Sequence, residues 1–182
     1  FIDPDKFVQT NVMGTNNLLS KAREKKIQRL IHLSTPEIYG GSSPLKEGQF
    51  FTEESPHLPN NPYSASKASS DMLCRAYHES YGLPVLYTRF ASAFGPYQYP
   101  EKLFPLCVTY AIQDKEIPIY GNGKARRNWI HANDICRAID MIMTKGEPGK
   151  AYNIGSGHEM SNLELVQSVL DVLGKSSDLI KF

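Results

Sequence analysis

Tyr63 and Lys67 stand four residues apart in the segment Tyr63-Ser-Ala-Ser-Lys67. On a helix, positions i and i+4 lie on one face, so a phenol and an ammonium at this spacing can point into one cleft. A free tyrosine has a pKa of about 10, and a nearby cation stabilises its phenolate and moves that value toward working pH. Such a phenol can take or return a hydroxyl proton while a hydride leaves the same carbon. The same five residues also describe a surface Tyr and Lys one turn apart, and the pattern alone does not choose. Position adds weight to the first reading. Upstream, Ser34 and Thr35 close a run that reads as a strand, at the carboxyl edge where α/β sheets place their ligands, and Tyr63 opens a helix near that edge.

The positioning elements follow from patterning. Asp3 before Pro4 reads as an N-cap with proline at the first helical position. Phe7, Val8, Val12, Leu18, Leu19 and Ala22 then recur near helical spacing, predicting a helix to about Lys25. The apolar run Arg29 to Ser34 predicts a buried parallel strand, followed by a Gly-, Ser- and Pro-rich loop from Gly40 to about Pro62. A helix from Tyr63 to Tyr81 should stop at Gly82, before the strand-like VLYTRF. Helix, strand, helix, strand is the rhythm of a doubly wound α/β sheet. Further on, a helix over Leu103 to Gln113, a strand and turn in IPIYGNG, and a helix capped by Asn133 or Asp134 and reaching about Thr144 are expected. AYNIGSG reads as a strand into a turn, and Ser161 with Glu164 has capping-box spacing. Val166, Val169, Leu170 and Leu173 carry that last helix on one face to Gly174.

Bulk properties exclude several classes. The 182 residues are 41% hydrophobic and 21% charged, an ordinary globular composition, and the formal net charge is +1. No stretch concentrates basic residues enough to track a phosphate backbone, which argues against nucleic acid as a partner. Cys74, Cys107 and Cys136 are odd in number and lack metal-ligand spacing, and the five histidines form none either. No metal site is expected, and a reducing, cytoplasmic setting is the natural reading. No apolar run approaches the length of a membrane helix. His32, inside a predicted strand, is expected to be a satisfied core residue.

The Tyr-x-x-x-Lys pair, the strand ending LIHLSTPEIYG, the phrase TEESPHLPNNPYSASKASSD, and the later RNWIHANDICRAI and YNIGSG together resemble extended short-chain dehydrogenases/reductases of the NAD-dependent epimerase/dehydratase type. The run GPYQ-x-PEKL-x-PL is similar to that of dTDP-glucose 4,6-dehydratases. The resemblance covers essentially the whole chain. It implies a Rossmann-like doubly wound parallel sheet with a smaller α/β substrate-binding portion. Residues 1–95 would be the C-terminal part of the NAD-binding domain with its catalytic residues. Residues 96–182 would be mostly the nucleotide-sugar-binding portion, interleaved with the end of the sheet.

For chemistry the resemblance implies NAD as cofactor and a nucleotide-diphosphate sugar as substrate. Tyr63 and Lys67 serve the redox step, with Ser34 also at the cofactor, and Thr35 orients the C4 oxygen. Oxidation at C4 acidifies the C5 hydrogen, which a base can remove while an acid helps water leave C6. Family dehydratases carry Thr-Asp-Glu for this work, the Glu as base and the Asp as acid. This chain has Thr35-Pro36-Glu37, so the base is kept and the acid is absent. Simple 4-epimerases usually lack the Glu, and UDP-glucuronate decarboxylases usually read Thr-Ser-Glu.

A second departure lies at Arg89-Phe90-Ala91-Ser92-Ala93-Phe94-Gly95-Pro96, where the dehydratases carry two Asn amides; Ser92 can supply one hydrogen bond and Ala93 none. Lys102 and Leu103 match positions that hold the nucleotide, and Pro118, Ile119 and Tyr120 match the stretch lining the base. Arg127 matches the arginine that grips the diphosphate, and Asn162 matches a further polar contact. The duller readings are a solvated Lys102, a core Tyr120, an ion-paired Arg127 and a first-turn helical Asn162.

The family's glycine-rich turn precedes the point where this sequence starts, so the chain reads as truncated at its N-terminus and also at its C-terminus, and as poorly stable and inactive by itself. The full-length protein is expected to be a homodimer, with the Tyr63 helix as the usual contact. Dehydration is the leading reading. A 4-epimerase or decarboxylase on the same scaffold, and a homologue that binds nucleotide sugars without turnover, are the alternatives.

Overall fold

The computed structural model describes residues 3–40 and 50–182. The first helical stretch runs through α1 (Asp5–Phe7), a π-helical turn (Val8–Met13) and α2 (Gly14–Glu24), ending at Lys25 as patterning predicts. Its start differs from expectation. Pro4 is the N-cap residue, without a side-chain cap, and Asp3 instead pairs with Lys6 at 3.3 Å. A π turn closes i→i+5 bonds and so rotates the face that an unbroken α stripe would present. Leu19 and Ala22 are buried accordingly, while Val8 and Leu18 lie exposed.

β1 (Leu30–Ser34) pairs in parallel with β2 (Val85–Phe90), joined by α3 (Pro62–Tyr81). β2 is buried along most of its length, but β1 is not the fully buried strand expected, since Leu33 is 46% exposed. Among the described residues β1 pairs on one side only and is therefore an edge strand. A short 3-10 helix (Pro36–Tyr39) follows it, and Gly40 ends that helix at φ 104°, where a Cβ would lie 3.0 Å from the Leu58 carbonyl. The 41–49 part of the expected loop lies outside the described residues. The rest, up to Asn61, contains no helix or strand.

α3 starts one residue before Tyr63. Asn61 is its N-cap in a reciprocal box with Ser64, with Pro62 at the first helical position, and Gly82 closes it at φ 65°. Replacing Asn61 by Ala is expected to cost about 1 kcal/mol, read as a lower urea midpoint at unchanged slope.

Beyond β2 the chain passes through β3 (Ser92–Phe94), α4 (Leu103–Ile112), β4 (Ile117–Pro118), β5 (Arg126–His131), α5 (Ala132–Lys145), β6 (Ala151–Ile154), β7 (Glu159–Ser161), α6 (Asn162–Leu173) and β8 (Ile180–Lys181). It divides into two units, residues 1–90 with 135–154 and residues 91–134 with 155–182.

The first unit holds a parallel sheet ordered β1-β2-β6, in chain order, as in one half of a doubly wound fold. Leu19, Ala22, Cys74, Leu83, Val85 and Tyr87 form its main core. Arg29 donates to the carbonyls of Met143 at 2.6 Å and Thr144 at 3.0 Å, and to that of Gly146, so a cation closes the C-terminus of α5.

In the second unit β5 lies between β3, parallel, and β7, antiparallel, and β4 pairs in parallel with β8. α4 and α6 bury Cys107, Ala111, Val166, Val169 and Leu170 against Ile117 and Ile119. The Ser161–Glu164 box and the Gly174 stop are as expected, although Leu173 is 36% exposed and outside the buried face. The cap of α5 is not Asn133 or Asp134, which both lie in its first turn. His131 Nδ1 accepts from the Asn133 amide at 3.2 Å and does the capping. Among the described residues no helix is long and apolar enough to cross a membrane, and no cluster of potential metal ligands occurs.

Candidate active site

The first unit brings Ser34, Thr35, Glu37, Tyr63 and Lys67 to the carboxyl end of β1 and the N-terminal turns of α3. Thr35 is extended at φ −145°, and its Oγ1 accepts from the Glu37 amide at 3.3 Å, so the residue that ends the strand also caps the helix carrying Glu37. Proline at position 36 suits the first turn of that helix and brings no titratable group. Tyr63 hydrogen-bonds the Thr35 side chain and meets Phe7 edge-on, with ring centroids 5.6 Å apart. Ser66 donates to the Tyr63 carbonyl at 2.7 Å and accepts from Asn11 at 2.9 Å, and Ser70 donates to the Asn11 carbonyl at 2.6 Å. These bonds fasten the π turn onto the helix carrying Tyr63 and Lys67.

The electrostatics correct one expectation. Burial pushes the Tyr63 phenol above its ordinary pKa, the Glu37 carboxylate adds to the rise, and only the Thr35 hydrogen bond opposes it. The Lys67 ammonium is not among the groups that oppose the rise, and it is bonded to the Leu33 carbonyl at 2.5 Å. Burial lowers the Lys67 pKa, and the Asp71 carboxylate and Cys74 raise it. Ser34 is 4% exposed, and its hydroxyl has no hydrogen-bond partner among the described residues.

Behind this edge lies a polar cluster that sequence reading missed. Arg89 and Asp71 are 3% and 0% exposed, and Arg89 Nε donates to Asp71 Oδ2 at 3.0 Å. Arg89 Nη1 also donates to the Tyr39 hydroxyl, which donates to Asn153 Oδ1 at 2.9 Å. His32 is not the satisfied core residue expected. Its Nε2 lacks a hydrogen bond among the described residues and stands 3.9 Å from Asp71 Oδ1, and burial holds its pKa down at about 4. The available signal was an arginine inside the buried run VLYTRF, because a buried guanidinium needs a carboxylate.

The second unit carries the other candidates. Lys102 is the N-cap residue of α4 with an exposed side chain 3.8 Å from Glu101, and Leu103 packs on the unit's core. Pro118 is exposed, whereas Ile119 is buried in that core and donates its amide to the Lys181 carbonyl at 2.7 Å. Tyr120 is 92% exposed, which rules out its core reading. Arg127 is exposed on β5, in register with Met160, and among the described residues no carboxylate pairs with it. The ion pairs of this strand belong to Arg126, which meets Glu164 at 3.1 Å and Glu159 at 3.9 Å. Asn162 opens α6 with its amide on the Ala125 carbonyl at 3.0 Å, and its buried Oδ1 has no partner among the described residues. Ser92 is half-buried on β3, opposite Trp129.

Known proteins are similar to this chain in sequence and structure over nearly all of its length. A dTDP-glucose 4,6-dehydratase of Streptomyces niveus is 45% identical over 175 residues, 96% of this chain and 51% of its own length. The crystal structure of a dTDP-glucose 4,6-dehydratase from Bacillus anthracis in complex with NAD superposes with a TM-score of 0.93 at 46% identity, over 98% of this chain and 57% of that one. The dTDP-glucose 4,6-dehydratase DesIV from Streptomyces venezuelae, with NAD and TYD bound, gives 0.92 at 43% identity, over 99% and 55%. The chain thus spans about half the length of the curated relatives it matches. The model of the NAD dependent epimerase/dehydratase family matches residues 1–155, and the chain belongs to that family.

Proposed function

We propose that this chain supplies the proton-transfer centre and part of the nucleotide-sugar site of an NAD-dependent nucleotide-sugar 4,6-dehydratase. The observation that carries the reading is the grouping of Thr35, Glu37 and Tyr63 at one end of β1, with Thr35 touching both of the others. The relatives that are dTDP-glucose 4,6-dehydratases at about 45% identity support the same reaction.

The residues present fit a dinucleotide at this edge. Ser34 offers a buried hydroxyl without a partner among the described residues, and the Lys67 ammonium has three donors, of which one is spent on Leu33. These groups and Tyr63 suit the hydroxyls of a nicotinamide riboside. When bound, NAD accepts the hydride from C4 and returns it to C6, so it is regenerated within a turnover. Tyr63 takes the proton of the C4 hydroxyl, Thr35 orients that oxygen, and Glu37 removes the C5 proton that oxidation has acidified. Arg127, whose guanidinium pairs with no carboxylate among the described residues, is available for a diphosphate, with Lys102, Leu103, Pro118, Ile119, Tyr120 and Asn162 of residues 96–182, and Ser92 shortly before them, along the nucleotide-sugar path. Residues 1–95 accordingly belong mainly to the dinucleotide-binding domain. The working protein is a cytoplasmic homodimer in this reading.

Pro36 favours a second reading, a 4-epimerase or decarboxylase on the same scaffold, because no side chain at that position can protonate a leaving hydroxyl. Product mass separates the two. The complete reading frame is incubated with NAD and a panel of dTDP-, UDP- and GDP-sugars. Loss of one water with no net change in NAD is expected. Unchanged mass with new stereochemistry, or loss of carbon dioxide, would overturn dehydration.

A further inference from the structure

Arg89 and Asp71 form a buried pair whose bonds reach both elements of the proposed centre. Asp71 lies four residues after Lys67 on α3, hence on the same helical face. Arg89 holds Asp71 by Nε and the Tyr39 hydroxyl by Nη1, and Tyr39 is the last residue of the 3-10 helix that carries Glu37. Tyr39 is itself fixed by its bond to Asn153 and by stacking on Phe51, with centroids 5.0 Å apart. The remaining carboxylate oxygen, Asp71 Oδ1, is buried without a hydrogen bond among the described residues. A simple structural ion pair would be expected to satisfy both oxygens.

We infer that Asp71 is a positioning residue for the redox pair: through Arg89 and Tyr39 it registers the Lys67 face of α3 against the helix bearing Glu37. The inference rests on the proposed use of Tyr63 and Lys67 at the redox step. Among the charges around Lys67, that of Asp71 does most to hold its pKa up. On β1 the nearest titratable group is His32, held neutral by a pKa near 4. On α3 itself Cys74 is kept as a thiol by burial that pushes its pKa to about 12. Arg89 on β2 is spent on Asp71 and Tyr39, and the charge of Glu37 acts on Tyr63. Burial draws the Lys67 pKa down, and Asp71 is the foremost group opposing it. A neutral amine would lose the positive charge and one of the donors that Lys67 offers to a bound ligand.

The test reads Lys67 directly. The full-length protein is reductively methylated across a pH series, and the Lys67 peptide is quantified by mass. In Asp71→Asn, which keeps an oxygen for Arg89 but removes the carboxylate charge that raises the Lys67 pKa, labelling of Lys67 at neutral pH is expected to rise. The double variant Asp71→Asn/Arg89→Gln leaves no buried charge and guards against misfolding; it should show the same rise. Tyr39→Phe breaks the link to the Glu37 helix without changing a charge, so it should leave Lys67 labelling alone and slow Glu37-dependent exchange of the C5 hydrogen about tenfold or more. Unchanged labelling in both Asp71 variants, with native circular dichroism, would overturn the inference. Normal labelling shifts in a protein that forms no dehydrated product would instead remove the proposed reaction and leave the role of Asp71 in place.

Discussion

Tyr63→Phe in the full-length protein is expected to lower the rate of C4 oxidation about 10³-fold, within the range that a positioned proton acceptor contributes. The substitution removes one oxygen and keeps the ring, so the edge contact with Phe7 survives and the capped start of α3 is untouched. Stability should therefore change little, and the loss should appear in first-turnover formation of NADH with substrate affinity nearly unchanged. The pH dependence carries a further signature. Only an ionised phenol can accept the C4 proton, and burial together with Glu37 holds Tyr63 in its neutral form to higher pH than a free tyrosine. Oxidation by the parent protein should rise with pH toward the phenol's range, and the residual rate of the Phe variant should be flat. An equal pH-dependent rise in both proteins would assign the proton acceptor to another group.

The second large effect is a gain. Pro36→Asp is expected to raise the rate of water loss about 10²-fold, the low end of the range for general acid catalysis. The position tolerates the change. It lies at the first turn of the 3-10 helix, where a carboxylate suits the helix dipole, and Thr35 caps that turn through the Glu37 amide, independently of the residue at 36. The product assay on parent and variant distinguishes the outcomes. A rise in the 4-keto-6-deoxy product identifies a dehydratase working with its acid missing. Absence of any rise, in a variant that still oxidises C4, shows that elimination from C6 is not the reaction of this protein, and epimerisation or decarboxylation becomes the reading. A protein that oxidises nothing in either form is a binding homologue.

The family-specific inferences came from residue order. Tyr63-x-x-x-Lys67, the strand-ending Ser34-Thr35 and the phrases around them were legible because helix spacing and strand polarity are local properties. The same holds for the capping box at Ser161 and the glycine stops at Gly82 and Gly174, each decided by residues within one turn. The strand character of β5 was missed because its first two residues, Arg126 and Arg127, are exposed and dilute the apolar signal. β3, β7 and β8 are too short to show a period.

Tertiary structure decided the charges. Sequence spacing placed Lys67 on the face of Tyr63 and suggested that it lowers the phenol's pKa. Folding instead sends the ammonium to the Leu33 carbonyl, 34 residues away in sequence, and sets Glu37 against the phenol. Asp71, Arg89 and Tyr39 meet across as many as 50 residues, and His131 displaces the expected Asx cap of α5. A pKa depends on burial and on every charge nearby, and a buried cation takes whichever acceptor the packed chain brings within reach. Local pattern names the candidate groups; only the fold determines which of them touch, and therefore which proton each can hold.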